Sequence, residues 1–167
     1  MKILGVDPGV NRVGYGLVEG SEQKQSVLRA GTIIPAASAS YESKIRAILE
    51  KFDMLLDETA PEIIVIEEIY LGSNVRIALK IGQVMGVIMG AALRKGVFFQ
   101  LLSAREIKQS ITGQGSATKE QVQFMIGHMT GYTGFGTMDE SDAVATAVAY
   151  IHHKKEHDLL HTGQTGL

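Results

Sequence analysis

The sequence contains no cysteine, which removes disulfides, zinc–thiolate centres and cysteine nucleophiles from the reckoning. That absence fits a reducing compartment, and a cytoplasmic location is the expectation. Long apolar runs are missing as well. The N-terminal apolar stretch is a few residues long and ends at Asp7, too short for the core of a secretory signal. The longest other run, IGQVMGVIMGAAL (81–93), is closed by Arg94 and Lys95. It falls short of the ~20 residues that cross a bilayer, so a buried helix is expected there and no membrane partner. No repeat, linker or low-complexity block divides the 167 residues. One domain is expected over 1–155, with a frayed tail over 156–167.

Charge is nearly balanced overall, at −2, but unevenly placed. Residues 70–119 carry Arg76, Lys80, Arg94, Lys95, Arg105, Lys108 and Lys119 against Glu106 alone. A polyanion meets local potential rather than the whole-chain sum. A solvated face of mixed helices would show the same excess.

KILGVDPG (2–9), RVGYGLVE (12–19) and QSVLRAGTII (25–34) are closely spaced strands and predict an antiparallel meander. Residues 41–59 carry a helical apolar period. PEIIVIEE (61–68) is apolar on both faces, as a central covered strand would be. A long helix (74–95), a strand (97–102), a short helix (104–111), a helix near 117–129 that Ser116 can cap, and a last helix from about Asp139 complete the chain. The pattern predicts an α/β domain with a mixed sheet.

Five acidic residues stand out. Asp7 ends the first strand, Glu67 and Glu68 end the second apolar strand, and Asp139 and Asp142 open the last helix three residues apart. Each has a plain local explanation: an Asp-Pro-Gly turn, a strand emerging into solvent, a Thr137–Glu140 capping box or an acid at the positive end of a helix dipole. Asp142 resists that treatment. It heads AVATAVAY, small and apolar almost all round, and a buried carboxylate needs a partner. Carboxylates converging from strand ends would repel one another, and a hard divalent cation relieves the repulsion.

The blocks ILGVDPGVNRVGYGL (3–17), IEEIYLGSNVRIALKIGQVMGV (66–87), AREIKQSITGQGSATKEQVQ (104–123) and DESDAVATAVAY (139–150) resemble, in order and spacing, the RuvC family of Holliday-junction resolvases. The resemblance implies an RNase H-like fold: a mixed five-stranded sheet, its first three strands antiparallel, with helices on both faces. It implies metal-binding carboxylates at Asp7, Glu67, Asp139 and Asp142, and selects Glu67 over Glu68. Mg²⁺ or Mn²⁺, two per site, would serve hydrolysis of DNA, with Lys108 and Lys119 supporting catalysis. Tyr70 falls where the family places an aromatic that enters the opened junction. Arg76 and Lys80, four apart on the next helix, and Arg105 are candidate DNA contacts. A homodimer, branched DNA and a branch-migration motor complex are the implied partners. The acidic overall charge and the short C-terminus depart from the pattern.

Gly82, Gly86 and Gly90 share one face of the long helix. Glycine costs ~1 kcal/mol against alanine in a helix interior, so three of them suggest close approach of another backbone. It would be either the chain's own sheet or, as the resemblance implies, a two-fold partner. His153, His157 and His161 have a spacing from which a zinc site could be built, though a solvated tail is the expectation. Three other readings compete: a related nuclease acting on RNA–DNA hybrids or forks, a non-catalytic junction binder, and the phosphate turn of actin-like kinases. The last needs two such domains, and usually Ser or Thr where Val10 stands.

Overall fold

The computed structural model describes residues 1–69 and 74–162, with side chains through His153. Five strands, β1 (Lys2–Asp7), β2 (Val13–Ser21), β3 (Lys24–Ile33), β4 (Ile63–Glu68) and β5 (Phe98–Ser103), form one sheet in the order β3-β2-β1-β4-β5. The first three are antiparallel, and β4 and β5 run parallel to β1. This is the mixed five-stranded α/β arrangement expected from the sequence.

Strand alternation divides the core in two. Leu4, Val6, Ile64 and Ile66 face α1 (Tyr41–Thr59) and α2 (Val75–Arg94), around Phe52 and Ile88. Ile3 and Val65 face the other way, onto α3 (Ala104–Thr112), α4 (Lys119–Thr130) and α5 (Met138–Thr162). Ser103 with Glu106, and Thr118 with Gln121, cap α3 and α4 by reciprocal side-chain and backbone bonds. Ser116 is therefore not the cap of α4; Thr118 takes that place. Before α5 only half of the expected Thr137–Glu140 box forms. Glu140 N–H donates to Thr137 Oγ1 at 3.3 Å, while the Glu140 carboxylate accepts from Gly136 N–H.

Helix α2 departs from the buried helix expected. Its 20 residues make it long and apolar enough to cross a membrane by length and composition alone. One face, including Val84, Met85 and Ile88, enters the core, and Arg94 and Lys95 at its end pair with Asp53 and Asp57 of α1. The other face stays outside. Leu79 is 65% exposed, and Phe98 at the start of β5 is 78% exposed. Among the described residues, a Cβ built on Gly86 or Gly90 would meet nothing within 4 Å, and on Gly82 only Ile69 Cδ1 at 3.9 Å. Packing of these glycines on the chain's own sheet is ruled out by that space.

Helix α5 is the opposite case. Ala143, Val144, Ala145, Ala147, Val148 and Ala149 are all fully buried. A Cβ on Gly5 of β1 would lie 1.9 Å from the Ala143 carbonyl oxygen, and one on Gly14 of β2 would lie 2.2 Å from that of Asp139. The helix backbone rests directly on the strands. No side chain larger than hydrogen fits between them.

Candidate active site

That direct contact builds the site. Asp7 ends β1 on the face it shares with Ile3 and Gly5, which is the face α5 covers. The parallel register pairs Val6 with Ile66, so Glu67 comes next on β4, on the side of Val65. Glu68 falls on the opposite face, where it lines a groove with Ile69, Ala78 and Gly82. The two glutamates, equivalent by sequence alternation alone, are thus separated by the packing: Glu67 lies on the face that α5 covers and Glu68 on the other.

Glu67 lines a cleft of about 100 Å³ together with Lys108, Lys119 and Asp142, walled by Ile107 and Ala145. Asp142 is 8% exposed, and Lys119 Nζ donates to its carboxylate. Lys119 is the first residue of α4. A cation there opposes the helix dipole, and the acids of the cleft offset that opposition. Burial draws the Lys119 ammonium down, but the bond to Asp142 and the charges of Asp142, Asp7 and Glu67 prevail and hold its pKa above the usual value.

The two strand-end acids move the other way. Burial, then the negative charge of Asp142, pushes Asp7 up to about 6, with Lys119 opposing and Asp139 adding to the rise. Burial, then the charges of Asp7 and Asp142, pushes Glu67 up to about 7, against Lys119 and Lys108. Buried carboxylates that resist ionising together call for added positive charge. The donors are hard oxygens, which suit a hard divalent cation. As the side chains stand, no three of the described Asp, Glu or His residues enclose a ready metal shell. Asp142 is held by Lys119, and Asp139 is turned to the rim, where Arg12 Nη1 donates to its Oδ2 at 2.9 Å. The donor set fits a divalent ion in its chemistry.

The basic residues divide. Arg94 and Lys95 are taken up by ion pairs with α1. Arg76 and Lys80 lie in the first turns of α2, which follows the Glu67 end of β4, and Arg105 and Lys108 lie on α3. Among the described residues none of these four is in an ion pair. Lys80 Nζ sits 5.4 Å over the Tyr41 ring, whose hydroxyl donates to Gln83. Tyr70 lies outside the described residues. Sequence reasoning missed Arg12, which no local pattern distinguishes, and the seating role of Gly5, Gly14 and Gly16. Glycine inside a strand is a sign of close backbone approach, so those three were open to detection.

A mixed sheet in this order, with acids at the ends of adjacent parallel strands and at the head of a helix laid across them, defines an RNase H-like nuclease fold. Residues 3–152 match the model of the crossover junction endodeoxyribonuclease RuvC family, and the chain belongs to that family. It is 37% identical over 151 residues to the crossover junction endodeoxyribonuclease RuvC of Trichlorobacter lovleyi, covering 90% of this chain and 85% of the relative. To the protein of the same name from Chlorobium chlorochromatii it is 39% identical over 152 residues, covering 90% and 79%. The structure of Thermus thermophilus RuvC in complex with Holliday junction substrate superposes with a TM-score of 0.88 over 94% of this chain and 96% of that one. At 24% identity it shows the shared fold. The family is one of metal-dependent nucleases.

Proposed function

We infer that this protein is an endonuclease that resolves four-way DNA junctions by hydrolysing phosphodiester bonds in two strands. The observation that carries the reading is the convergence of Asp7, Glu67 and Asp142 beside Lys108 and Lys119 in a chain of this family.

Asp7, Glu67, Asp139 and Asp142 are the metal-holding residues of this reading, taking Mg²⁺ or Mn²⁺, two per site. Such ions, once bound, activate water and neutralise charge on the leaving and phosphorus-bound oxygens. The chain supplies what surrounds that chemistry. β1 and β4 fix Asp7 and Glu67 on adjacent strand ends. Both give up protons on loading, because ligation needs the carboxylate. Lys119 and Lys108 hold positive charge at the edge where transition-state charge develops. Arg76, Lys80 and Arg105 provide phosphate contacts on the rim, and Tyr70 stacks on an unpaired base at the crossover.

A four-way junction has approximate two-fold symmetry, and paired nicks need two equivalent sites. The open glycine face of α2, flanked by exposed Val75, Ile77 and Leu79, suits an isologous homodimer through Gly82, Gly86 and Gly90. Residues 1–155 form the nuclease domain in this reading, the protein works in the cytoplasm, and a branch-migration motor complex is the further partner. The test is incubation with a labelled mobile four-way junction in Mg²⁺ or Mn²⁺, beside linear duplex, RNA–DNA hybrid and the Asp7→Asn protein. Paired symmetric nicks on the junction alone, lost in Asp7→Asn, are expected. Cleavage of the hybrid instead, or tight junction binding without cleavage in either metal, would contradict the reading.

A further inference from the structure

Arg12 was not among the candidate residues, yet it touches one of them across 127 positions of sequence. Its place is fixed. Two residues on, Gly14 lets the start of β2 sit against the Asp139 carbonyl, where a Cβ would come within 2.2 Å. That contact sets the backbone near Arg12 beside the first turn of α5, within reach of Asp139 for its guanidinium. Both acids of that turn are held by a cation, and the two pairs differ in kind. Lys119 grips a buried Asp142 under the influence of three carboxylates. Arg12 and Asp139 meet in the open, with side chains 47% and 32% exposed. An exposed pair of this sort is weak and readily exchanged.

We propose that Arg12 is the resident counter-ion of Asp139, holding that carboxylate in the metal-free enzyme and releasing it when a divalent ion loads, so that the freed guanidinium takes a phosphate of the bound junction. The proposal rests on the nuclease reading and deepens it. A guanidinium is equally suited to either anion, pairing with carboxylate or phosphate through parallel N–H donors. The rim next to it is already basic. Asn11 Oδ1 accepts from Lys44 Nζ at 2.7 Å, and Lys44 is in no ion pair among the described residues. Metal and DNA then favour the same state, with Arg12 off Asp139, so each tightens the other's binding by one shared factor.

The experiment compares the full chain with Arg12→Ala and Arg12→Lys, each first shown by thermal melting to be folded. Calorimetric titration with Mn²⁺, without DNA, is expected to show Arg12→Ala binding about two- to fivefold tighter than wild type, the size of an exposed ion pair lost as competitor. Junction binding by fluorescence anisotropy is then followed against salt, in EDTA and in Ca²⁺. In EDTA wild type and Arg12→Ala are expected to show the same salt slope. In Ca²⁺ the Arg12→Ala slope should be lower by about 0.9, one phosphate contact, with Arg12→Lys keeping the wild-type slope. Unchanged or weaker Mn²⁺ binding by a folded Arg12→Ala protein overturns the counter-ion role, and an unchanged slope in Ca²⁺ overturns the phosphate role. Wild-type protein that binds neither Mn²⁺ nor junction overturns the nuclease reading itself, and the Arg12 assignment with it.

Discussion

Two sets of glycines in this protein do opposite things. Gly5, Gly14 and Gly16 lie on β1 and β2 where a helix backbone already fills the space a side chain would need. Gly82, Gly86 and Gly90 lie on α2, and the space beside them is open among the described residues. The first set turns one face of the sheet into an acidic cleft, since it seats α5 low enough for Asp142 to share a cleft with Glu67 and to raise the pKa of Asp7. The second leaves a shallow apolar face with no partner among the described residues. Same residue, same apparent purpose of close approach; the difference is whether the approaching backbone belongs to the same chain.

The sharpest way to break the comparison is a methyl group. Gly5→Ala places Cβ 1.9 Å from the Ala143 carbonyl oxygen and 2.7 Å from Ala147 N, and backbone cannot step aside as a flexible side chain does. A loss of at least about 3 kcal/mol is expected by denaturant unfolding, with nuclease activity falling alongside. Gly86→Ala should do the reverse to the single chain, stabilising it by about 0.5–1 kcal/mol through helix propensity. If the open face joins two copies, the same change weakens self-association in sedimentation equilibrium. Gain in both would separate the glycine face from the dimer.

Between these lies the charge of the cleft. Folding raises the pKa of Asp7 from 3.8 to about 6 and that of Glu67 from 4.5 to about 7. The native state therefore binds more protons than the unfolded chain over this window. Metal-free protein is most stable below pH ~4 as far as these two groups are concerned, and their contribution is lost as pH rises through 6 to 7. Asp7→Asn should accordingly melt higher than wild type at pH 8 in EDTA, by about 1–2 kcal/mol or roughly 3–6 °C, while cleaving junctions more than about 10²-fold more slowly. Mn²⁺ affinity of the wild type should rise between pH 5.5 and 7.5, as ligation displaces those protons. A flat profile by calorimetry would remove the acids from the metal site.

Much of this was legible in the sequence because it is periodic. The apolar runs of β1 and β4, the helical period over 41–59 and the small-residue run of α5 set out strands and helices, and the need of Asp142 for a partner followed from burial alone. The rest depended on which face meets what. Glu67 and Glu68 are equivalent by alternation when both faces are apolar; only the seat of α5 against Gly5 assigns Glu67 to the cleft. Helix α2 reads as buried from composition, yet hydrophobicity does not say whether the burying surface lies in the same chain. Arg94 and Lys95 counted toward a basic region, but they pair with acids of α1, a contact between residues about 40 apart. Arg12 carries no local mark at all, because its partner is brought to it by the fold.

The central claim is that α5, seated on strand glycines, makes one face of the sheet catalytic. Junction cleavage by Glu67→Gln and Glu68→Gln proteins, side by side in Mn²⁺, tests it most directly. The account predicts that Glu67→Gln loses cleavage by more than about 10²-fold while Glu68→Gln stays within a few-fold of wild type. The reverse pattern, or equal loss in both, would contradict it.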